Sequence, residues 1–181
     1  MKQRIEKILR HHKKRRIIDG NLKTSAVLIP LFRNEGQCYV LLTERSDDVV
    51  FHKGQVCFPG GAQEPSDSSL LQTALRESHE EIGLEAEDIE ILGELDDIIT
   101  FTSNYIISPF VALVPYPYSL KTNGREVKGT FSVPLSFLMD EDNFKRDSYA
   151  YEYEGHIIWG ATARILRQFI DLLNSERGAL Q

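Results

Sequence analysis

The spacing of hydrophobic positions along this 181-residue chain changes several times, and each change marks an element. Residues 24 to 32 (TSAVLIPLF) and 37 to 44 (QCYVLLTE) are rich in β-branched and aromatic side chains and flank Asn34-Glu35-Gly36, which predicts two strands joined as a hairpin. Further on the period lengthens. Leu71, Ala74, Leu75, Ser78 and Ile82 recur at helical spacing, with Asp67 or a neighbouring serine placed to cap the start and Gly83 placed to end it. Strand-like runs follow near 89 to 95, 105 to 114 and 127 to 133, with an aromatic-rich pair between 148 and 159. A last helix is expected over about 160 to 174, carrying Ala163, Leu166, Phe169 and Leu173 on the side that would cover a sheet. At the N-terminus, MKQRIEKILRHHKKRR puts Ile5, Ile8 and Leu9 on one helical side, able to pack on the body of the protein. Pro115 to Gly124 is the linker-like stretch. Strands interleaved with helices predict an α/β protein with a mixed sheet between helices.

Composition narrows the class. With 41% apolar residues the chain can bury one substantial core and needs no second one. It has no run of eighteen apolar residues to span a bilayer, and its basic N-terminus lacks the apolar stretch of a secretory signal. A cytoplasmic location is expected, and the C-terminal Ala-Leu-Gln is not a peroxisomal address. Cys38 and Cys57 fall within strand runs and read as reduced, buried thiols. Charge is uneven: residues 1 to 23 carry nine Lys or Arg against two acids, while the rest of the chain carries twelve against twenty-five. This divides the sequence into a basic N-terminal segment at 1–23, expected to be helical, and an acidic body at 24–181 expected to fold as one domain. No aromatic residues interleave with the basic ones to stack bases, and an acidic body repels a polyanion, so a solvated or substrate-steering segment is expected rather than a nucleic-acid site.

The chemistry concentrates on the helix after residue 70. Glu77, Glu80 and Glu81 stand at i, i+3 and i+4, so their carboxylates crowd one face and repel unless a cation lies among them. Oxygen ligands at this density suit Mg²⁺ or Mn²⁺, and those ions suit a phosphate substrate. Taken alone, the run RESHEE also reads as a solvated charged face.

Its surroundings decide between the two. Phe58-Pro59-Gly60-Gly61 before the helix, the RESHEE run and Gly83-Leu84 after it resemble the Nudix box, the strand–loop–helix signature of hydrolases acting on nucleoside diphosphates linked to another moiety. Gly61 to Arg76 spans fifteen positions, one more than the general spacing, and Asp67 stands where the usual box has a glutamate. The coenzyme A pyrophosphatase branch of that family is similar in this longer loop and in a second signature upstream, here LLTERSDDVVFHKGQVCFPGG at 41 to 61. The resemblance continues through GELDD at 93 to 97, Pro109 to Val111, Glu126-Val127, Val133 to Leu135 and IIWGATA at 157 to 163, and so covers most of the chain beyond residue 24.

This resemblance implies a Nudix α/β/α sandwich and a Mg²⁺- or Mn²⁺-dependent pyrophosphatase. The substrate it implies is coenzyme A or an acyl or oxidised form, cleaved to adenosine 3′,5′-bisphosphate and the 4′-phosphopantetheine portion. Glu77 and Glu81 are the first ligands it implies, Glu80 the next, and a backbone carbonyl at Gly61 a further one. Arg76 is expected to hold a neighbouring carboxylate in place. Glu126 is the candidate to take a proton from water, with Glu80, Glu64, Asp67, Asp96 and Asp97 as alternatives. Arg45, His52 and Lys53, within the upstream signature, are the candidates to contact substrate phosphates. His79 is expected to be exposed, and His156 has no motif of its own. Within the same fold the alternatives are a hydrolase of ADP-ribose, NADH, dinucleoside polyphosphates or capped RNA. A nucleotide sensor without turnover is disfavoured by the intact glutamates, and an isoprenyl diphosphate isomerase by the absence of its cysteine motif.

Overall fold

The structure, a computed structural model, describes residues 1–46, 54–100 and 103–178. In chain order the elements are α1 (Lys2–His11), β1 (Lys23–Asn34), β2 (Gln37–Arg45), β3 (Val56–Cys57), β4 (Gly60–Ala62), α2 (Leu70–Ile82), β5 (Glu90–Glu94), β6 (Ile98–Ile99) and β7 (Tyr105–Leu113). They continue with β8 (Val127–Pro134), α3 (Leu135–Met139), β9 (Phe144–Lys145), β10 (Ala150–Tyr153), β11 (His156–Ile158) and α4 (Gly160–Gly178).

The main sheet runs β3-β2-β1-β7-β5, with β4 added to β1, β6 to β7 and β8 to β2. β1 is antiparallel to β2 and β4 but parallel to β7, so the sheet is mixed. Alanine 26 through Phe32 are nearly all buried because β1 is central and covered on both faces, which is why its sequence reads as a continuous apolar run. The hairpin closes at Asn34 and Gln37 over Glu35 and Gly36, both at positive φ (48° and 83°), the turn that matches strand twist.

Side chains alternate between two packed layers. Ile29, Leu31, Val40, Leu42 and Val111 meet α1, α3 and α4 on one face, through Ile5, Ile8, Leu9, Leu166, Phe169 and Leu173. Ala26, Leu28, Leu41, Phe110 and Ala112 meet Ala74, Ile82 and Leu84 of the α2 layer on the other. The result is the expected helix–sheet–helix sandwich, with a small β9–β11 sheet beside α4. Among the described residues no helix is long and apolar enough to cross a membrane. Both cysteines are free, Cys38 buried and Cys57 half-buried.

Two sequence expectations change. The first helix stops at His11 instead of continuing to residue 16, because the basic run that follows is drawn out in extended form along the acids after β5. His12 Nε2 lies 2.8 Å from Asp96, Lys14 Nζ lies 2.7 Å from Glu94 and 3.0 Å from Asp97, and the Arg15 and Ile17 amides donate to Asp96 and Asp97. These basic residues are a paired strap rather than a solvated tail. The stretch from Pro115 to Gly124 is not a linker either: the Lys121 and Asn123 amides donate to the Ile82 and Glu81 carbonyls, docking it on the end of α2.

Candidate functional site

Local sequence sets up the site by fixing both ends of α2. Ser69 accepts from the Gln72 amide at the N-terminus, and Gly83 closes the other end in the left-handed region at φ 71°. Ahead of the helix, Gly60 and Gly61 let β4 pass unusually close to it. Gly60 has φ 155°, and a Cβ there would overlap the Ala26 carbonyl and Val27. A Cβ on Gly61 would overlap the Glu77 carboxylate. The glycine pair is therefore the floor against which the helix carboxylates lie, and the Gly60 amide donates to Glu81 Oε2 at 3.1 Å.

Glu81 is 1% exposed, and burial, with repulsion from Glu77 and Glu126, pushes its carboxyl up to about 8. Glu77 is also shifted upward, first by burial and then by Glu80 and Glu126. Glu126 thus lies within electrostatic reach of both, although it stands 45 positions further along than Glu81. Its placement follows from β8: the register with β2 shifts between Glu44 and Arg45, and the Ser46 amide then donates to the Glu126 carbonyl at 2.8 Å. The Asn123 side chain accepts from the Glu126 and Val127 amides and fixes the approach.

Arg76 organises the acids. Its Nε and Nη2 grip both oxygens of Asp67 at 3.0 Å, Nη1 reaches Glu77 at 3.0 Å and Glu80 at 3.1 Å, and Nη2 also donates to the Ala62 carbonyl. The Arg76 fork beside Asp67 holds that buried carboxyl well below the usual range, helped by the Glu64 amide and the Thr73 hydroxyl. Asp67 is thus the anchor of the arginine and not a helix cap. We expect Arg76→Ala to destabilise the fold by about 3 kcal/mol, since a buried carboxylate loses its partner. It should also raise the metal concentration for half-maximal activity by about 10- to 100-fold. Arg76→Lys, which keeps the charge but not the fork, should recover only part of either, as read by urea unfolding and metal titration of turnover.

Arg45 projects from β2 toward the same cluster. Its charge lowers the Glu81 carboxyl against the dominant effect of burial, and its Nε is buried without a hydrogen-bond partner. Beside it the Thr43 hydroxyl donates to the Cys57 carbonyl and lies 3.2 Å from the Cys57 sulfur, while burial pushes that thiol up. Glu80 is the outer acid, its side chain 54% exposed. His79 is exposed and pairs with Glu85 at 3.2 Å. His156 stacks on Phe131 and lies 3.9 Å from Glu44. His52 and Lys53 lie outside the described residues.

Of the alternative bases, Asp96 and Asp97 are engaged with the strap, and Ser108 adds a 2.6 Å bond to Asp97. Asp67 is engaged with Arg76. A cavity of about 670 Å³ lies between that strap and α4 instead of at the carboxylates, and its Asp96 and Gln168 groups already bond each other.

The donor set suits a hard divalent cation, because Glu77 and Glu126 raise the Glu81 carboxyl, Glu126 also raises that of Glu77, and a positive charge among them would relieve the repulsion. Among the described residues no three such side chains already converge at ligand distance, and Arg76 takes oxygens of Glu77 and Glu80.

Comparison with known proteins agrees with the fold. The NUDIX domain model matches residues 22–151. The uncharacterised Nudix hydrolase NudL of Photorhabdus laumondii is 36% identical over 164 residues, covering 85% of this chain and 86% of that protein. In structure, the NUDIX domain of Shewanella oneidensis NrtR, solved with ADP ribose, superposes with a TM-score of 0.58 at 18% identity, covering 91% of each chain. The Ap4A hydrolase of C. elegans superposes with a TM-score of 0.59 at 16% identity, covering 85% of this chain and 99% of that one.

Proposed function

The chain belongs to the Nudix hydrolase family, whose members act on phosphoric anhydride bonds, and on that premise we propose that it hydrolyses coenzyme A or its acyl and oxidised derivatives. The products would be adenosine 3′,5′-bisphosphate and the 4′-phosphopantetheine portion. The observation that supports a hydrolytic reading is the buried Glu81 and half-buried Glu77 against the Gly60-Gly61 floor, with the exposed Glu126 close enough to repel both. A domain that only binds nucleotide has no use for carboxylates held at this cost. The coenzyme A half of the reading rests on the upstream signature at 41 to 61. That signature brings Arg45, Cys57 and the glycine pair to the same carboxylates.

Glu77, Glu81, Glu80 and the Gly61 carbonyl would hold Mg²⁺ or Mn²⁺, which supplies neutralisation of diphosphate charge and a more acidic water. The remaining roles belong to the chain itself. Arg76, anchored by its fork on Asp67, orients Glu77 and Glu80 through Nη1. Arg45 offers its buried Nε–H to a phosphate oxygen, a charge-assisted bond that it lacks within the protein. Glu126, exposed on its loop, accepts the proton of the attacking water at its carboxylate.

The test is a panel with Mg²⁺ or Mn²⁺: coenzyme A, its dephospho form lacking the 3′-phosphate, ADP-ribose, NADH and a dinucleoside polyphosphate, with products separated by chromatography. Coenzyme A should give the highest kcat/KM. The dephospho form should be roughly tenfold poorer, because a basic group of the upstream segment loses its charged partner. Faster turnover of ADP-ribose than of coenzyme A would overturn the substrate, and equal turnover of the two coenzyme A forms would remove the 3′-phosphate contact.

A further inference from the structure

The hairpin stem that carries Arg45 has two faces. Leu41 packs with the α2 layer and Leu42 with the α4 layer, so along β2 Thr43 and Arg45 face the carboxylates and Glu44 faces away. β3 follows the same alternation. Cys57 lies within electrostatic reach of Glu81 and Arg45, whereas Val56 is buried in the core with Ile165 and Leu166 of α4. The front of the stem belongs to the site, and its back to α4.

The backbone of β3 gives it few holds of its own. The strand is two residues long and stands at the end of the sheet order, with Thr43 and Glu44 of β2 as its register partners. The Arg45 amide donates to the Gln55 carbonyl, so 45 and 55 form a hydrogen-bonded pair. Alternation then turns the N–H and C=O of Val56 away from β2. That outward carbonyl is met by the Thr162 hydroxyl at 3.0 Å, across 106 positions of chain. Thr162 is 7% exposed and sits in the first turn of α4, a helix fixed in the core by Ile165, Leu166, Phe169 and Leu173. His156, which opens β11, closes on the same back face, its Nε2 3.9 Å from Glu44 and its ring stacked on Phe131. The run IIWGATA at 157 to 163, to which the sequence alone assigns no role, thus stands behind the stem.

We propose that Thr162 is a positioning residue for substrate binding: through the Val56 carbonyl it holds β3, and with it the Gln55–Arg45 pair, so that Arg45 stands ready for a substrate phosphate. This rests on the reading above that Arg45 meets a phosphate, and it is independent of which nucleotide carries that phosphate. Without the hydroxyl, the buried Val56 carbonyl lacks its partner, and β3 shifts to reach water. Arg45 follows, because its amide bonds Gln55 and its carbonyl accepts from Gly54, tying the two arms of the stem together. The Gly60-Gly61 floor stays in place, since the Leu28 amide holds the Pro59 carbonyl and β4 pairs with β1. Binding therefore weakens while the chemical step persists.

The experiment measures kcat and KM of the full chain with Mg²⁺ on coenzyme A and on ADP-ribose. The chains compared are the parent, Thr162→Val, Thr162→Ser, Arg45→Ala and the Arg45→Ala/Thr162→Val double variant, with urea unfolding of each to establish that it is folded in the assay. Thr162→Val should raise KM about tenfold with kcat within about twofold, as for a contact kept from ground state to transition state. Thr162→Ser keeps the hydroxyl and should recover most of that loss. In the Arg45→Ala background, Thr162→Val should change KM by less than about twofold, because the contact it positions is already gone. Equal losses in the two backgrounds, a fall in kcat in place of the KM rise, no rescue by serine, an unchanged KM or an unfolded Thr162→Val chain each overturn the positioning role while the Arg45 reading stands. An unchanged KM in Arg45→Ala overturns both.

Discussion

Glu81→Gln is expected to lower turnover by about 10²- to 10³-fold while leaving the protein more stable than the parent at pH 8. The variant keeps an oxygen to accept from the Gly60 amide but carries no charge into a site that is 1% exposed. The sign of the stability change follows from the titration. The Glu81 carboxyl rises from 4.5 to about 8 on folding, chiefly by burial. Below the lower value both folded and unfolded chains hold the proton, and stability is at its full level. As pH climbs from 4.5 toward 8 the unfolded chain releases the proton first, so stability is progressively lost. The loss is on the order of a few kcal/mol. Urea unfolding in chelator at pH 5 and pH 8 should show this slope in the parent and its near absence in Glu81→Gln. Adding Mg²⁺ should recover the parent at pH 8. Turnover that survives chelation, or full activity in the variant, would sink the metal assignment.

Glu126→Gln is expected to lower kcat by about 10²-fold or more with little change in the metal concentration for half activity, as for loss of a group that receives a proton. The structure sharpens the comparison with a ligand. Glu126 comes from a loop held by Asn123, Ser46 and the end of α2, whereas Glu77 and Glu81 sit on the helix itself. A ligand variant should be rescued by excess Mn²⁺, and a base variant should not. The pH–rate profile adds an independent check, since losing the base should remove the acidic limb of kcat. Rescue by Mn²⁺ would move Glu126 into the metal set, and parent-like turnover would make it a surface acid, with Glu80 the next residue to test.

Much of this was legible in the sequence wherever the cause is local. The hairpin, the α2 period, its serine and glycine ends and the crowding of Glu77, Glu80 and Glu81 depend on neighbours within a few positions, and all reappear. Partnerships across the fold were not legible. Asp67 reads as a capping acid nine positions before Arg76, but the longer loop brings it back onto the guanidinium. Asp96 and Asp97 read as free acids because their partners, His12, Lys14 and Arg15, are more than eighty positions away. Those partners also explain the early end of α1: consecutive cations gain more from acids after β5 than from stacking in one more helical turn. The cavity walled by Phe32, Leu41, Tyr116 and Ser132 had no sequence signal, since β1, β2, β8 and the 115–124 loop each supply one wall.

The N-terminal helix also carries a consequence for the birth of the protein. The Arg4 guanidinium meets the Leu173 carbonyl across 169 positions, and the stripe Ile5, Ile8 and Leu9 finishes in the same core as Leu166, Phe169 and Leu173. On the ribosome, at roughly 5 to 20 residues per second, α1 therefore emerges on the order of ten seconds or more before α4 can join it. Throughout that interval the nascent chain presents an apolar stripe flanked by cations, so slowing elongation before α4 should lower the yield of folded protein.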